Sequence, residues 1–527
     1  MQNKIKKGYD IADAHQDGVD LVAFVRDCPR LIDEDFPTTP YDAFCHAIKY
    51  LYGKENFEQF DGLFYLYKSD EHYWEERLEK NFKSDLQKWI ELNMIKYLSE
   101  TDSAIHTFAK NTLSFLNNYS ASYYKGNPFK NSAIQPYLHV KNGAIEITDT
   151  GFNFLHREEK GEDFFRKLYP LHALDFDFDL KYYKDENLKD LAPTFHYYLE
   201  SIVPEPEYKT PETIKEHEAE LELTKEFFSQ VIAYTLNPIK HRPHFFAMYG
   251  GQDTGKSFFL KFLRTIVGTQ FFVRRKIEVM TKNNKFAEYD LWGAKVYYDD
   301  DVRANVALPD DFVKSCSGLE ETSVEPKFEK TIKNVKISVA MYFISNHAFT
   351  VAGGTQGIER RFIFIPYKKT IKAPDVFLLD KIIGKKPKGT ESGTHAGEQF
   401  DERPAIIGFA LRGIESLIRN NHNFVMPNWI AEERKDWLIR SNTITQFLYE
   451  QIFPATETSY PSKELYDKYK DWCKDEESRK PYGKNKFYEM LKLEPRVTHK
   501  HYSTGDYFKF ELDNKTELDE ELRDIPF

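Results

Sequence analysis

The sequence predicts an α/β chain: a strand–loop–helix domain in the middle, a mainly helical module before it and a winged-helix-like domain after it. Three observations predict this. Phe245–Leu263, FFAMYGGQDTGKSFFLKFL, is an apolar run, a glycine-rich turn and a helical pattern in direct succession. Three further apolar runs of buried-strand type follow, in Lys295–Asp301, Val339–Asn346 and Gly357–Pro366, each joined to polar or charged residues. Apolar residues recur at three- and four-residue spacing in Tyr41–Tyr52 and Lys83–Leu98, and a helix–helix–hairpin pattern closes the chain.

With 527 residues and 41% hydrophobic content there is material for about three domains. No apolar run reaches the length of a membrane span, and MQNKIKKGYD lacks the apolar stretch of a signal peptide, so a cytoplasmic chain without membrane contact is expected. Cys28, Cys45, Cys316 and Cys473 lie far apart with no CxxC pair, which implies ordinary thiols rather than disulfides or zinc. A net charge of −11 argues against nucleic acid coating the whole surface, but a ring can be acidic outside and basic in its pore. Net charge does not settle the partner.

Residues 1–205 are read as mainly helical with one small β element, Ile134–Leu155, which alternates around the hairpin signal Asn142-Gly143. In Leu174–Leu180, LDFDFDL, alternation puts Asp175, Asp177 and Asp179 on one side of an extended segment. Such carboxylates can hold metals, and they equally make an ordinary acidic strand edge. Val203–Thr213, with three prolines, is a linker, and Thr210-Pro211 signals the start of a helix running to about Leu236. The domain boundary is placed near 205.

Residues 206–430 carry the chemistry. Gly250, Gly251, Gln252, Asp253, Thr254, Gly255, Lys256 and Ser257 spell G-x-x-x-x-G-K-S between a strand and a helix, the phosphate-binding loop. Its backbone N–H groups wrap a phosphate chain on the positive end of the following helix. Lys256 then reaches the β- and γ-phosphates of ATP, and Ser257 ligates Mg²⁺. Lys295–Asp301, KVYYDDD, runs a strand out into acids: Asp299 falls beside the metal, and Asp300 or Asp301 orients or deprotonates the attacking water. Asn346, ending VAMYFISN, is positioned to hold that water. GIERRFIFIP places Arg360 and Arg361 just before a fourth strand, where an arginine acting in trans can stabilise phosphoryl charge. Residues 431–515 give two helices and a hairpin, with Lys484, Lys486, Lys500 and His501 as DNA- or protein-contact candidates; 516–527 are an acidic tail.

The ordered set Gly250–Ser257, Val296–Asp300, Asn346 and Arg361 resembles the superfamily 3 helicases, ring-forming AAA+ motors of DNA viruses, phages and plasmids. The likeness is closer to the poxvirus-type and phage or plasmid primase-helicases. It extends to the Asn142-Gly143 hairpin, to Ile406–Leu417 as the helix after the motor core and to Phe447–Leu491 as a winged-helix tail. Lys7–Asp20 resembles the tail that closes the primase module in some of these proteins. The resemblance implies an ATP-dependent DNA helicase: a hexameric ring moving 3′ to 5′ on single-stranded DNA with a primase or polymerase partner. It also implies a pore hairpin within Val313–Ile337, where Lys327, Lys330 and Lys333 would neutralise phosphates and Phe328 stack or pack. Asp300 departs from the family, whose second acid is most often Glu. Two other readings keep the nucleotide site without the motor: a switch that remodels protein complexes, and an origin binder whose ATP site controls assembly.

Overall fold

The computed structural model describes residues 39–60, 63–97, 102–114, 128–131, 134–280, 285–302, 305–306, 321–324, 332–346, 350–351, 361–371, 374–385, 400–441, 443–451, 459–474, 481–493, 497–503 and 505–510. The readings at Lys7–Asp20, Cys28, Cys316, Lys327, Phe328, Lys330, Arg360 and the acidic tail lie outside these residues. The chain divides into two compact units, one comprising residues up to Phe129 with Gly161–Ala173, the other Lys130–Lys160 with Leu174 onward. The linker near 205 falls inside the second unit.

In the first unit the helices expected from periodicity are present as α1 (Pro40–Tyr52) and α2 (Glu79–Tyr97), joined by α3 (Asp102–Ser114). Thr39 caps α1 by accepting the Asp42 N–H at 3.1 Å. Between α1 and α2 lies what the helical reading did not foresee: an antiparallel sheet of β1 (Phe57–Phe60), β2 (Leu63–Lys68) and β3 (Tyr73–Arg77). Its period of two sorts the side chains. Phe57, Phe64 and Leu66 pack with Phe44, Phe82, Leu86 and Trp89 of the helices, while Tyr65, Tyr67 and Trp74 join Phe60, Phe129 and Tyr169 in a separate aromatic cluster. Aromatic residues on both faces erase the apolar–polar alternation that marks a half-exposed strand. The N-terminal module thus carries a second β element beside its helices.

The second unit begins with a meander, β4 (Tyr137–Val140), β5 (Gly143–Thr148) and β6 (Gly151–His156), turning at Asn142 as the sequence predicts. The Asn142 side chain also clamps the backbone of Phe178, donating to its carbonyl at 2.9 Å and accepting its N–H at 3.0 Å. In LDFDFDL, Leu174, Phe176 and Phe178 are buried while the three Asp are exposed. Asp175 accepts from Arg403 at 2.6 Å.

After two single-turn helices, Lys181–Lys184 and Leu188–Leu191, come α4 (Pro193–Ile202) and α5 (Pro211–Leu236). Thr210 and Thr213 form a reciprocal capping box at the start of α5, and proline stands at its first turn. Next come β7 (Phe245–Tyr249), α6 (Lys256–Val267), β8 (Phe272–Arg274), β9 (Val296–Asp299), β10 (Ala340–Ser345) and β11 (Phe362–Pro366). The five strands form one parallel sheet in the order β11-β7-β10-β9-β8. Phe245, Tyr297, Met341, Phe343, Phe362 and Phe364 pack on one face; Phe246 stacks on Tyr342 on the other, near Phe259 of α6. Burial on both faces is why these strands read as continuous apolar runs. α7 (Arg403–Arg419) lies close along α5, because a Cβ at Gly413 would stand 2.2 Å from the Ser229 carbonyl oxygen.

The C-terminal residues order as α8 (Asn428–Ser441), α9 (Thr443–Gln451), β12 (Tyr460–Pro461), α10 (Ser462–Lys474), α11 (Lys484–Leu493), β13 (Val497–Tyr502) and β14 (Gly505–Phe510). The three strands pair as β12-β14-β13 around a core of Phe447, Tyr469, Trp472, Phe487 and Phe508. Cys45 and Cys473 form no disulfide with each other among the described residues. Among the described residues no helix is long and apolar enough to cross a membrane.

Candidate functional site

The Gly250–Gly255 loop leaves the C-terminal end of β7 and enters α6. Three positive φ angles make the wrap: Gly250 at 150°, Asp253 at 55° and Gly255 at 92°. At Gly250 the need for glycine is steric as well, since a Cβ would stand 2.0 Å from the Tyr367 carbonyl oxygen. That approach is fixed from both sides, by the Tyr367 N–H on the Tyr249 carbonyl at 2.7 Å and the Ile371 N–H on the Asp253 carbonyl at 2.9 Å. Tyr367 is in turn held by a 2.9 Å hydroxyl–hydroxyl hydrogen bond to Tyr198 of α4, whose ring packs 4.9 Å from that of Phe258. Glu402 anchors α4 by accepting the N–H groups of Thr194 and Phe195 at 3.0 and 2.9 Å.

Lys256 is only 6% exposed, and burial holds its ammonium below the usual lysine range, against the opposing pull of Asp253. Its three hydrogen-bond partners are loop oxygens: the carbonyls of Gly250, at 2.7 Å, and Gly251, and the Thr254 hydroxyl at 3.2 Å. A buried ammonium at the mouth of a loop, with neutral oxygens as its acceptors, suits a phosphate chain. Ser257 is exposed at the first turn of α6.

Asp299 ends β9 and is 1% exposed. One carboxylate oxygen accepts the Ile277 N–H at 2.9 Å; the other takes the Lys276 ammonium and the Asp301 N–H, each at 3.2 Å. Lys276 also reaches the Asp301 carboxylate at 3.1 Å, and Arg274 grips one oxygen of Asp300 through Nε at 3.0 Å and Nη2 at 2.9 Å. Parallel pairing of Arg274 with Tyr298 sets the basic triplet Arg274–Lys276 against the acidic triplet Asp299–Asp301. Burial opposes the Lys276 charge, but hydrogen bonds to Asp301 and Asp299 outweigh it and hold the ammonium above its ordinary value. Arg274 and Lys276 were not singled out from sequence. The signal was there: two consecutive strands ending in three cations and three anions.

Asn346 directly follows β10, which lies between β7 and β9 with Ser345 opposite Tyr249 and Phe343 opposite Asp299. It is exposed. The loop, Asp299 and Asn346 thus gather at the C-terminal edge of one parallel sheet, where open α/β sheets bind ligands.

Arg361 is at the other edge. It precedes β11, whose Phe362 pairs with Phe245, and its carbonyl accepts the Phe245 N–H at 2.7 Å. The five residues of β7 separate it from the phosphate loop by about 16 Å at 3.3 Å per residue. Its Nη1 is buried without a hydrogen-bond partner. His244 nearby is pushed down to about 3, by burial first and also by Arg242, Arg434 and Arg361.

In the interval expected to hold a hairpin, Thr322–Val324 and Ile332–Val335 pair antiparallel. Lys333 belongs to the second of these strands; Lys327 and Lys330 fall in the undescribed residues between them. Lys484 and Lys486 are exposed on α11, and Lys500 and His501 on β13. The Asp506 carboxylate is held below its usual range by hydrogen bonds to His501 and His499, both at 2.8 Å. Asp175, Asp177 and Asp179 are exposed, with Asp175 paired to Arg403, and among the described residues no group of three or more His, Cys, Asp and Glu side chains is arranged to hold a metal.

Residues 248–361 match a family of unknown function (DUF5906), and residues 439–517 match a family described as Poxvirus D5 protein-like. The two matches bracket the phosphate-loop domain and the C-terminal helix–hairpin unit. No curated protein matches the chain. Among solved structures, the apo structure of the NrS-1 C-terminal region (305–718) is similar at 11% identity and TM-score 0.34, over 71% of this chain and 95% of that one. An A-form apo structure of the same region is similar at 12% identity and TM-score 0.32, again over 71% and 95%.

Proposed function

We propose that the chain is an ATP-driven DNA helicase of the superfamily 3, AAA+ type, acting as a ring of identical subunits, most simply a hexamer. The observation that carries the reading is the division of the site between two edges of one sheet. The Gly250–Ser257 loop, Asp299 and Asn346 share the C-terminal edge, while Arg361 stands at the opposite edge, out of reach of its own subunit's loop. A neighbour stacked edge to edge would then complete each site with Arg361, as ring motors require. The match of residues 439–517 to the Poxvirus D5 protein-like family supports the viral or phage assignment, and the helix–strand–helix–helix–strand–strand order of that part supports a winged helix.

In this reading the loop N–H groups and Lys256 hold the β- and γ-phosphates of ATP. Ser257 and Asp299 would hold Mg²⁺, which supplies charge neutralisation on the phosphoryl oxygens. Asp300 or Asp301 orients the attacking water, with Asn346 beside it. Asp300 is engaged by Arg274 and Asp301 by Lys276, each through one carboxylate oxygen. Lys327, Lys330 and Lys333 of the hairpin track single-stranded DNA in the pore, with 3′ to 5′ movement, and a primase or polymerase is the natural partner in the cytoplasm of a bacterial host or an infected cell.

Phosphate release measured with and without single-stranded DNA, together with unwinding of a forked duplex, tests the proposal. Wild-type protein should show DNA-stimulated hydrolysis and unwinding, and Lys256→Ala neither. Hydrolysis that ignores DNA, without unwinding, would favour a switch that remodels protein complexes. Nucleotide binding without turnover would favour an assembly-controlled origin binder.

A further inference from the structure

We propose that the Lys276 ammonium is a placeholder for the divalent cation at Asp299, and that metal–nucleotide enters by displacing it. The proposal rests on the nucleotide-site reading above and adds a component to it. Asp299 is 1% exposed, and a carboxylate that deep needs a positive partner whether or not nucleotide is bound. One of its oxygens accepts the Ile277 N–H; the other takes Lys276 at 3.2 Å and the Asp301 N–H. The ammonium therefore fills one of the carboxylate's acceptor positions, and its charge opposes a second cation at either oxygen.

Three features suit Lys276 to leave. Its side chain is 44% exposed, so the ammonium can swing toward solvent. It is a point charge on a flexible four-carbon stem, unlike the forked guanidiniums beside it. It also has a second foothold, the exposed Asp301 carboxylate at 3.1 Å, so that release from Asp299 is a short swing rather than a loss of every partner. The neighbouring cations are committed elsewhere: Arg274 grips Asp300, and Arg275 pairs with Asp290 at 2.9 Å. Of the three, Lys276 is the cation on the buried acid. Its role is that of a positioning residue, keeping Asp299 aimed until the metal arrives, and setting the metal concentration at which the site fills.

Mn²⁺ binding followed by electron paramagnetic resonance, in the presence of a non-hydrolysable ATP analogue, reads this directly. Lys276→Met should lower the half-saturating Mn²⁺ concentration by about three- to fivefold, the upper part of the range expected for removing one partly exposed ion pair. Arg275→Met removes the same charge one residue away without touching Asp299, and should shift it less than about twofold. In metal-free buffer Lys276→Met should also unfold at a lower temperature than wild type, a deficit that Mn²⁺ with the analogue should abolish. Lys276→Gln carries the same expectation and serves where the Met variant fails to fold. Unchanged or weaker Mn²⁺ binding in the Lys276 variants, or an equal shift in Arg275→Met, overturns the proposal while leaving a working nucleotide site. A wild-type protein that binds no analogue in the presence of Mn²⁺ overturns the nucleotide reading and this inference with it.

Discussion

Gly250→Ala tests whether the loop's shape is set by the backbone behind it. The added Cβ would lie 2.0 Å from the Tyr367 carbonyl oxygen and 2.8 Å from its carbon, well inside contact distance. Relief needs a movement of about 1.3 Å or more to reach a carbon–oxygen contact near 3.3 Å. Neither side is free to move: the Tyr367 N–H is bonded to Tyr249, the residue before the glycine, and the Tyr367 hydroxyl to buried Tyr198. Overpacking of this kind costs about 1–3 kcal/mol, and an L-residue forced to φ 150° adds about 1 kcal/mol or more. The sum, about 2–4 kcal/mol, should lower the melting temperature by roughly 2–5 °C. Because the strain enters where phosphates would lie, nucleotide affinity should fall with it. Gly251→Ala is the matched control, since a Cβ there meets nothing within 4 Å. It should change stability by less than about 0.5 kcal/mol. Differential scanning fluorimetry and titration with a fluorescent ATP analogue measure both quantities. If Gly250→Ala melts and binds like wild type, or the two alanine variants behave alike, the steric argument is refuted.

Replacing Lys327, Lys330 and Lys333 together with Ala should weaken single-strand affinity for every sequence alike and flatten its salt dependence, with basal ATP hydrolysis retained; an unchanged salt slope in fluorescence anisotropy returns these lysines to an ordinary solvated surface. Arg361→Ala and Lys256→Ala proteins should each lack ATPase activity and recover part of it when mixed, because a mixed interface can pair an intact loop with an intact arginine. Normal hydrolysis by Arg361→Ala alone, or no recovery in rings shown to be mixed, removes the trans role. Glu402→Ala strips the N-terminus of α4 of its acceptor for two N–H groups and should destabilise the second unit by about 2 kcal/mol, read by chemical denaturation. A cost below about 0.5 kcal/mol would show that water replaces the carboxylate.

How much was legible in the sequence depended on whether a feature is local. The phosphate loop was, because its glycines, lysine and flanking periodicities all lie within twenty residues, and the structure gives the strand, loop and helix where they were expected. The α5 start was legible for the same reason, Thr210 and Pro211 being adjacent. The β1–β3 sheet was not. Its strands are short and apolar on both faces, and the turn before β3 is made without glycine by His72 at φ 61°. A run such as LFYLYK carries no period that separates a two-sided strand from a buried helix.

The site divides along the same line. Asp299 was readable as an acid at a strand end, but its partners come from Lys276 and Ile277, some twenty residues earlier and brought alongside only when β8 pairs with β9. Tyr198 and Tyr367 are further apart still, and nothing in the residues around either one announces a hydrogen bond across 169 positions. Such long-range partners shape the loop, so a reading of motifs finds the loop residues and misses those that hold them in place. Arg361 shows the converse. Its distance from its own loop follows from strand direction alone, since a residue that precedes a parallel strand must lie at the edge away from the phosphates. That much was legible before any coordinates, and it makes a second subunit part of the chemistry wherever Arg361 takes part in it.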